Sequence, residues 1–90
     1  MDLNNKRVII SRTDSIGDVM LTLPICAWLK NNFPEIIIIF LGKGYTKSIV
    51  ESYTMVDRFE DWNDYQDVPK TERIQKFRAL EADVIIHVFP

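Results

Sequence analysis

The sequence predicts an α/β fold of three layers, a parallel sheet held between helices, on three observations. Short apolar runs recur at residues 8–10, 36–41 and 83–89. Stretches with apolar residues at helical spacings of three and four lie between them, as in residues 18–31 and 70–81. The runs at 8–10 and 36–41 do not alternate with polar residues, which marks buried strands, covered on both faces at 36–41. An order of strand, helix, strand, helix, strand, helix, strand is what right-handed crossovers build into a parallel sheet.

Residues 7–11 contain Val8, Ile9 and Ile10 bounded by charge, and form the first strand. Gly17 closes the turn that follows. From Asp18 to about Asn31 the residues Leu21, Ile25, Trp28 and Leu29 recur at helical spacing, giving one apolar stripe that is expected to face the core. Pro24 interrupts this helix, removes the donor for the Met20 carbonyl and predicts a kink or a loosely wound first turn. The helix closes at Asn31-Asn32-Phe33-Pro34, because the residue before a proline is pushed out of helical dihedrals. Residues 36–41 make the second strand, stopped by Gly42-Lys43-Gly44. Residues 45–53 suit a short helix with Tyr45, Ile49 and Val50 on one side, and residues 56–59 a weak third strand. A polar loop leads to a helix over residues 70–81 with Ile74, Phe77 and Leu80 at spacings of three. Residues 83–89 are the last strand. A parallel sheet needs covering on both faces, and the sequence stops just after a strand, so the ninety residues are expected to be the front of a longer protein.

Composition narrows the function. The chain is 47% hydrophobic and 27% charged with a net charge of −2, which is globular and gives no overall attraction to nucleic acid. A chain of this length buries roughly 60–65% of its unfolded surface, so its stability margin is thin. The single cysteine, Cys26, lies in an apolar helical stretch and reads as a small buried hydrophobe rather than a nucleophile. The polar start and the short apolar run behind it do not make a signal peptide, and no segment approaches the ~20 apolar residues of a membrane span. A soluble, cytoplasmic protein is expected.

Ligands of open α/β sheets bind outside the carboxyl ends of the strands, which directs attention to the turn RTDSIGD, residues 12–18. It has one glycine, so the G-x-G-x-x-G of dinucleotide sites is missing, and neither Gly42-Lys43 nor Lys47-Ser48 sits in a P-loop pattern. Asp18 lies at a helix start, where the macrodipole stabilises a carboxylate. From the residues alone it is a cap or a base, and Asp14 is a turn residue bonding its own backbone. Asp61, Asp64 and Asp67 stand three apart in a polar loop and read as solvated acids; no metal is called for. Lys43 and Lys47, just beyond the second strand, are exposed lysines able to reach a phosphate. Trp28 reads as core, His87 as a packed or rim residue of the last strand, and Trp62 and Tyr65 as aromatic candidates for stacking on a sugar.

With these residues in place, VIISRTDSIGDVMLTLPICAWLKNNFPEIIIIFLG resembles the opening of glycosyltransferase family 9, the heptosyltransferases of lipopolysaccharide assembly. The shared pattern is a hydrophobic strand, a basic residue, a short Ser/Thr turn, Gly-Asp, an apolar helix start and Leu-Pro. VDRF and ADVIIHVFP fit the family's later strands more loosely. The resemblance implies part of the N-terminal, acceptor-binding, Rossmann-like domain of a GT-B enzyme, with the donor-binding domain lying outside these residues. It implies metal-independent inverting transfer from a nucleotide-sugar co-substrate, with no cofactor, to a lipid-linked glycan acceptor at the inner face of the inner membrane. On this likeness Asp18 is the base, Arg12 faces acceptor carboxylates or phosphates, and Thr13, Ser15, Gly17 and Lys43 contact substrate. Asp14 departs from the Ser common in relatives and points to a different acceptor. His87 and VFP also depart from the Asp and Gln-Gly-like pair that ends this strand in many members.

Two other readings belong to different classes. One is a non-catalytic Rossmann-like module that holds a nucleotide or anion with Arg12, Lys43 and the helix N-terminus. The other is a small flavodoxin-like or receiver domain, which would require acids in the first loop and at the end of the third strand.

Overall fold

The computed structural model describes residues 2–13 and 16–88, apart from the side chain of Ile16. Their elements run β1 (Arg7–Ser11), α1 (Ile16–Asn32), β2 (Ile37–Gly42), a 3-10 turn (Gly44–Thr46), α2 (Lys47–Glu51), β3 (Arg58–Asp61), α3 (Asn63–Gln66), α4 (Lys70–Ala79) and β4 (Val84–His87). The strands form a four-stranded sheet in the order β3-β2-β1-β4, with every pairing parallel. That order reads 3-2-1-4, the Rossmann arrangement. It excludes the flavodoxin-like and receiver reading, whose order places β1 between β2 and β3.

Alternation along each strand sends its side chains to two layers. Val8, Ile10, Ile38 and Phe40 enter one core with Val19, Leu23, Cys26 and Leu29 of α1 and Val50 of α2. Ile9, Ile39 and Leu41 enter the other, beneath Tyr65 and Leu80. Each fully buried Ile or Phe contributes roughly 1.5–3 kcal/mol relative to exposure, so the two central strands carry much of the driving force for folding. The continuous apolar pattern of β1 and β2 therefore means what it was expected to mean.

The stripe expected on α1 is real but faces the other way. Leu21, Ile25 and Trp28 are exposed, Leu21 by 78% and Trp28 by 61%. Of the four residues expected to face the core, Leu29 alone is buried. The helix is apolar around most of its circumference, so periodicity alone could not choose the face. The β-branched Val19 and the compact Cys26 fit closest to the sheet. Trp28 instead packs edge-on against Phe33, with ring centroids 6.5 Å apart. α1 runs as one helix from Ile16 to Asn32 with Pro24 inside it. Pro24 and Met20 both lie on the exposed side, where water can take up the carbonyl that the proline leaves without a donor. Tyr45 is likewise 60% exposed rather than packed beside Val50.

The third strand begins two residues later than its sequence suggests, because Asp57 serves as a junction. Its Oδ2 accepts hydrogen bonds from Lys30 Nζ and from the Ile38 amide, both at 2.7 Å, while its own amide donates to the Ile38 carbonyl at 3.0 Å. Lys30 also donates to the Ile36 carbonyl at 2.6 Å. The end of α1 and the starts of β2 and β3 are tied together by one carboxylate. The polar loop before α4 holds the short α3, and Asp61 Oδ1 accepts a hydrogen bond from the Asn63 amide at its start, at 2.9 Å. Lys70–Ala79 and Val84–His87 lie within the expected helix and strand.

Glu81, just after α4, has φ of 54°, a left-handed conformation that strains a side chain and favours glycine. Glu81→Gly is expected to stabilise the chain by about 0.5–1 kcal/mol, raising the thermal midpoint by several degrees in a domain of this size. A differential scanning calorimetry comparison checks this.

Candidate active site

All strands being parallel, their carboxyl ends meet at one edge. Ser11 pairs with Leu41 on one side and His87 on the other, and Gly42 pairs with Asp61. The ladder continues beyond the strands through Arg12 N to Leu41 O at 3.0 Å, Trp62 N to Gly42 O at 2.8 Å and Val88 N to Ser11 O at 3.0 Å. Arg12, Trp62 and Val88 are thus fixed at the edge by backbone bonds. Gly42 permits the close fit between the end of β2 and the first turn. A Cβ there would lie 3.1 Å from Thr46 Oγ1 and 3.3 Å from the Arg12 carbonyl.

On this edge the turn after β1 delivers its acid and its base to one another. Arg12 Nη2 lies 3.3 Å from Asp18 Oδ1, with the arginine side chain 7% and the aspartate 38% exposed. Asp18 occupies the first turn of α1, where the helix dipole favours negative charge, and its carbonyl accepts a hydrogen bond from Thr22 Oγ1 at 2.9 Å. A buried guanidinium cannot swing far, so it fixes where the carboxylate stands. The carboxylate itself remains reachable from solvent. Gly17 is exposed beside it, and among the described residues a Cβ built there would have no atom within 4 Å beyond its chain neighbours and the adjoining helix backbone.

The remaining expected site residues distribute as follows. Thr13 joins Ser11 and His87 as the polar rim residues of a cavity of about 350 Å³ that is also lined by Leu41, Trp62, Phe77 and Ile85. Lys43 is exposed; its carbonyl accepts hydrogen bonds from the Thr46 amide and Thr46 Oγ1, which start the 3-10 turn. Ser15, and with it Asp14, lies outside the described residues. Tyr65 is no sugar platform: it is buried, stacked on Phe77 at 4.6 Å between centroids, and donates its hydroxyl to Glu60 Oε1 at 2.6 Å. Burial and that carboxylate together hold the phenol protonated well above its ordinary range. Trp62 does line the cavity, with the Arg73 guanidinium 5.9 Å from its ring. Cys26 is fully buried and burial pushes its thiol up to about 11, which leaves it unreactive near neutral pH.

Sequence reasoning did not find Ser11, Phe77 or Ile85 as cavity residues. Ser11 reads as the plain end of a strand, and Phe77 and Ile85 as core. Their convergence depends on the β1–β4 register and on which face α4 covers, and neither is written in local spacing.

No family model matches the sequence, and no curated protein matches it. Among solved structures, the chain is similar to a glycosyl transferase family 9 protein from Veillonella parvula DSM 2008. The likeness covers all of this chain at a TM-score of 0.82 and 22% identity. It is a likeness of fold. The chain spans 28% of the length of that protein.

The open space around Gly17 yields a test. Gly17→Ala is expected to be tolerated and to stabilise α1 by up to about 1 kcal/mol, since alanine is the better helix former. Gly44→Ala should destabilise, because the added methyl meets the Asp61 carboxylate, whose Cγ would be 3.2 Å away. Opposite shifts in urea midpoint confirm this, and a loss of stability in Gly17→Ala contradicts it.

Proposed function

We propose that these ninety residues form the acceptor side of a glycosyltransferase that moves a sugar, heptose or a similar one, from a nucleotide-sugar to a glycan acceptor. The observation that carries the proposal is the Arg12–Asp18 pair at the carboxyl edge of a sheet in a chain whose fold is similar to part of a family 9 transferase. Asp18 acts as the base. As the acceptor oxygen forms its bond to the anomeric carbon, the bond from that carbon to the nucleoside diphosphate breaks and the hydroxyl proton passes to the Asp18 carboxylate. Attack opposite the leaving group inverts the anomeric centre and needs no metal at the base. Arg12 positions the carboxylate, and Gly17 leaves room for the acceptor beside it. The nucleotide-sugar sits on a second, donor-binding domain. A lipid-linked acceptor would place the enzyme against the inner face of the membrane; among the described residues no helix is long and apolar enough to cross one.

The alternative, a module that binds anions through Arg12 and Lys43, is disfavoured by the pairing of Arg12 with Asp18, which neutralises the cation that such a site needs. Titrating residues 1–90 with a sugar nucleotide separates the two: the transferase reading predicts no tight binding, the module predicts it. In the transferase polypeptide that carries these residues, Asp18→Asn should lower turnover by about 10²–10⁴-fold, the usual contribution of a general base. Donor affinity should stay unchanged in isothermal titration. Wild-type turnover in that variant would reduce Asp18 to a helix-start residue.

A further inference from the structure

We infer that the cavity on the α4 side of the carboxyl edge is an acceptor subsite for a single uncharged sugar ring; this rests on the transferase reading. Its volume of about 350 Å³ lies at the low end of the ~300–1,000 Å³ typical of small-molecule sites, which suits one ring rather than a chain of them. Much of the lining is apolar and partly aromatic, with Trp62 and Phe77 beside Leu41 and Ile85. A pyranose presents a face of C–H groups to such surfaces and its hydroxyls to the side. Ser11, Thr13 and His87 occupy the rim, and two hydroxyls with an imidazole supply both donors and acceptors. That is the polar complement a ring of hydroxyls requires.

Among the described residues, the lining holds no lysine, arginine, aspartate or glutamate. Two guanidiniums stand near the lining and both are engaged: Arg12 lies 3.3 Å from Asp18, and Arg73, 5.9 Å from the Trp62 ring, donates to the carbonyls of Tyr65, Gln66 and Val68. A phosphate or carboxylate placed here would lose its hydration with no opposite charge in the lining, which is costly, whereas a neutral ring loses only hydrogen bonds that the rim replaces. The subsite therefore selects against the anionic units that the resemblance alone would suggest.

Titration of the ninety-residue chain with methyl β-D-glucopyranoside and with glucose 6-phosphate, followed by amide and indole NMR shifts, tests this. Saturable millimolar shifts confined to Ser11, Thr13, His87 and the Trp62 indole are expected with the neutral glycoside, and binding at least fivefold weaker with the phosphate. Trp62→Leu should weaken the glycoside two- to tenfold, the fold-change equivalent of an aromatic contact worth about 0.5–1.5 kcal/mol. His87→Ala should weaken it in an otherwise unchanged spectrum. Tighter binding of the phosphate overturns the inference. So does the absence of saturable shifts at these residues, as expected if the cavity is only a packing slot for another helix. Glycoside binding here together with full turnover in Asp18→Asn would keep the subsite and remove the catalytic reading; the reverse pattern would remove only the subsite.

Discussion

The parallel pairing of β1 between β2 and β4 is the constraint from which the other features follow. A central parallel strand must be apolar on both sides, because crossover helices cover both faces, and Val8, Ile9 and Ile10 are each fully buried. Parallel pairing also brings every carboxyl end to the same edge. The chain can then concentrate its polar chemistry in the turns that leave those ends while the strands remain dry. With β1 next to β2 and β4, the turn beginning at Arg12 leaves from the middle of the sheet rather than from its rim.

At that turn, one short-range interaction converts architecture into chemistry. Arg12 is buried at the end of the strand and Asp18 lies in the first helical turn, so their contact spans the turn and sets the angle at which α1 leaves the sheet. A surface pair of this kind is worth little to stability. Breaking a largely buried one costs more, because it strands a guanidinium away from water. The pair therefore holds the Asp18 carboxylate in place while leaving it partly open to solvent. At the other end of α1, Asp57 performs a purely structural version of the same device, joining that helix to β2 and β3.

Much of the fold was legible in the sequence because its strongest signals are local. Unbroken apolar runs predicted β1 and β2, and the switch to helical spacing predicted α1 and α4. What failed was orientation. The Leu21, Ile25 and Trp28 stripe was assigned to the core, yet α1 carries apolar residues on two sides and packs through Val19, Leu23, Cys26 and Leu29. Choosing between two apolar faces requires the partner sheet, which spacing does not contain. Tyr65 failed for a related reason: a short α3 within a polar loop turns it inward onto Phe77. For the site, Asp18 and Arg12 could be named from the turn after β1, but their contact could not. The cavity was only half visible, since Trp62 and His87 stand out as residue types whereas Ser11, Phe77 and Ile85 join them only through strand register.

The central claim is that Asp18 takes the proton of an acceptor hydroxyl. The measurement that bears on it most directly is the pH dependence of kcat/KM for sugar transfer, taken on the polypeptide that contains these residues together with a nucleotide-sugar-binding domain. A carboxylate base gives a rate that falls with unit slope as acid protonates it. The account predicts that this acidic limb disappears in Asp18→Asn, leaving a low rate that does not change with pH. An Asp18→Asn profile that keeps both the limb and the wild-type rate would contradict it.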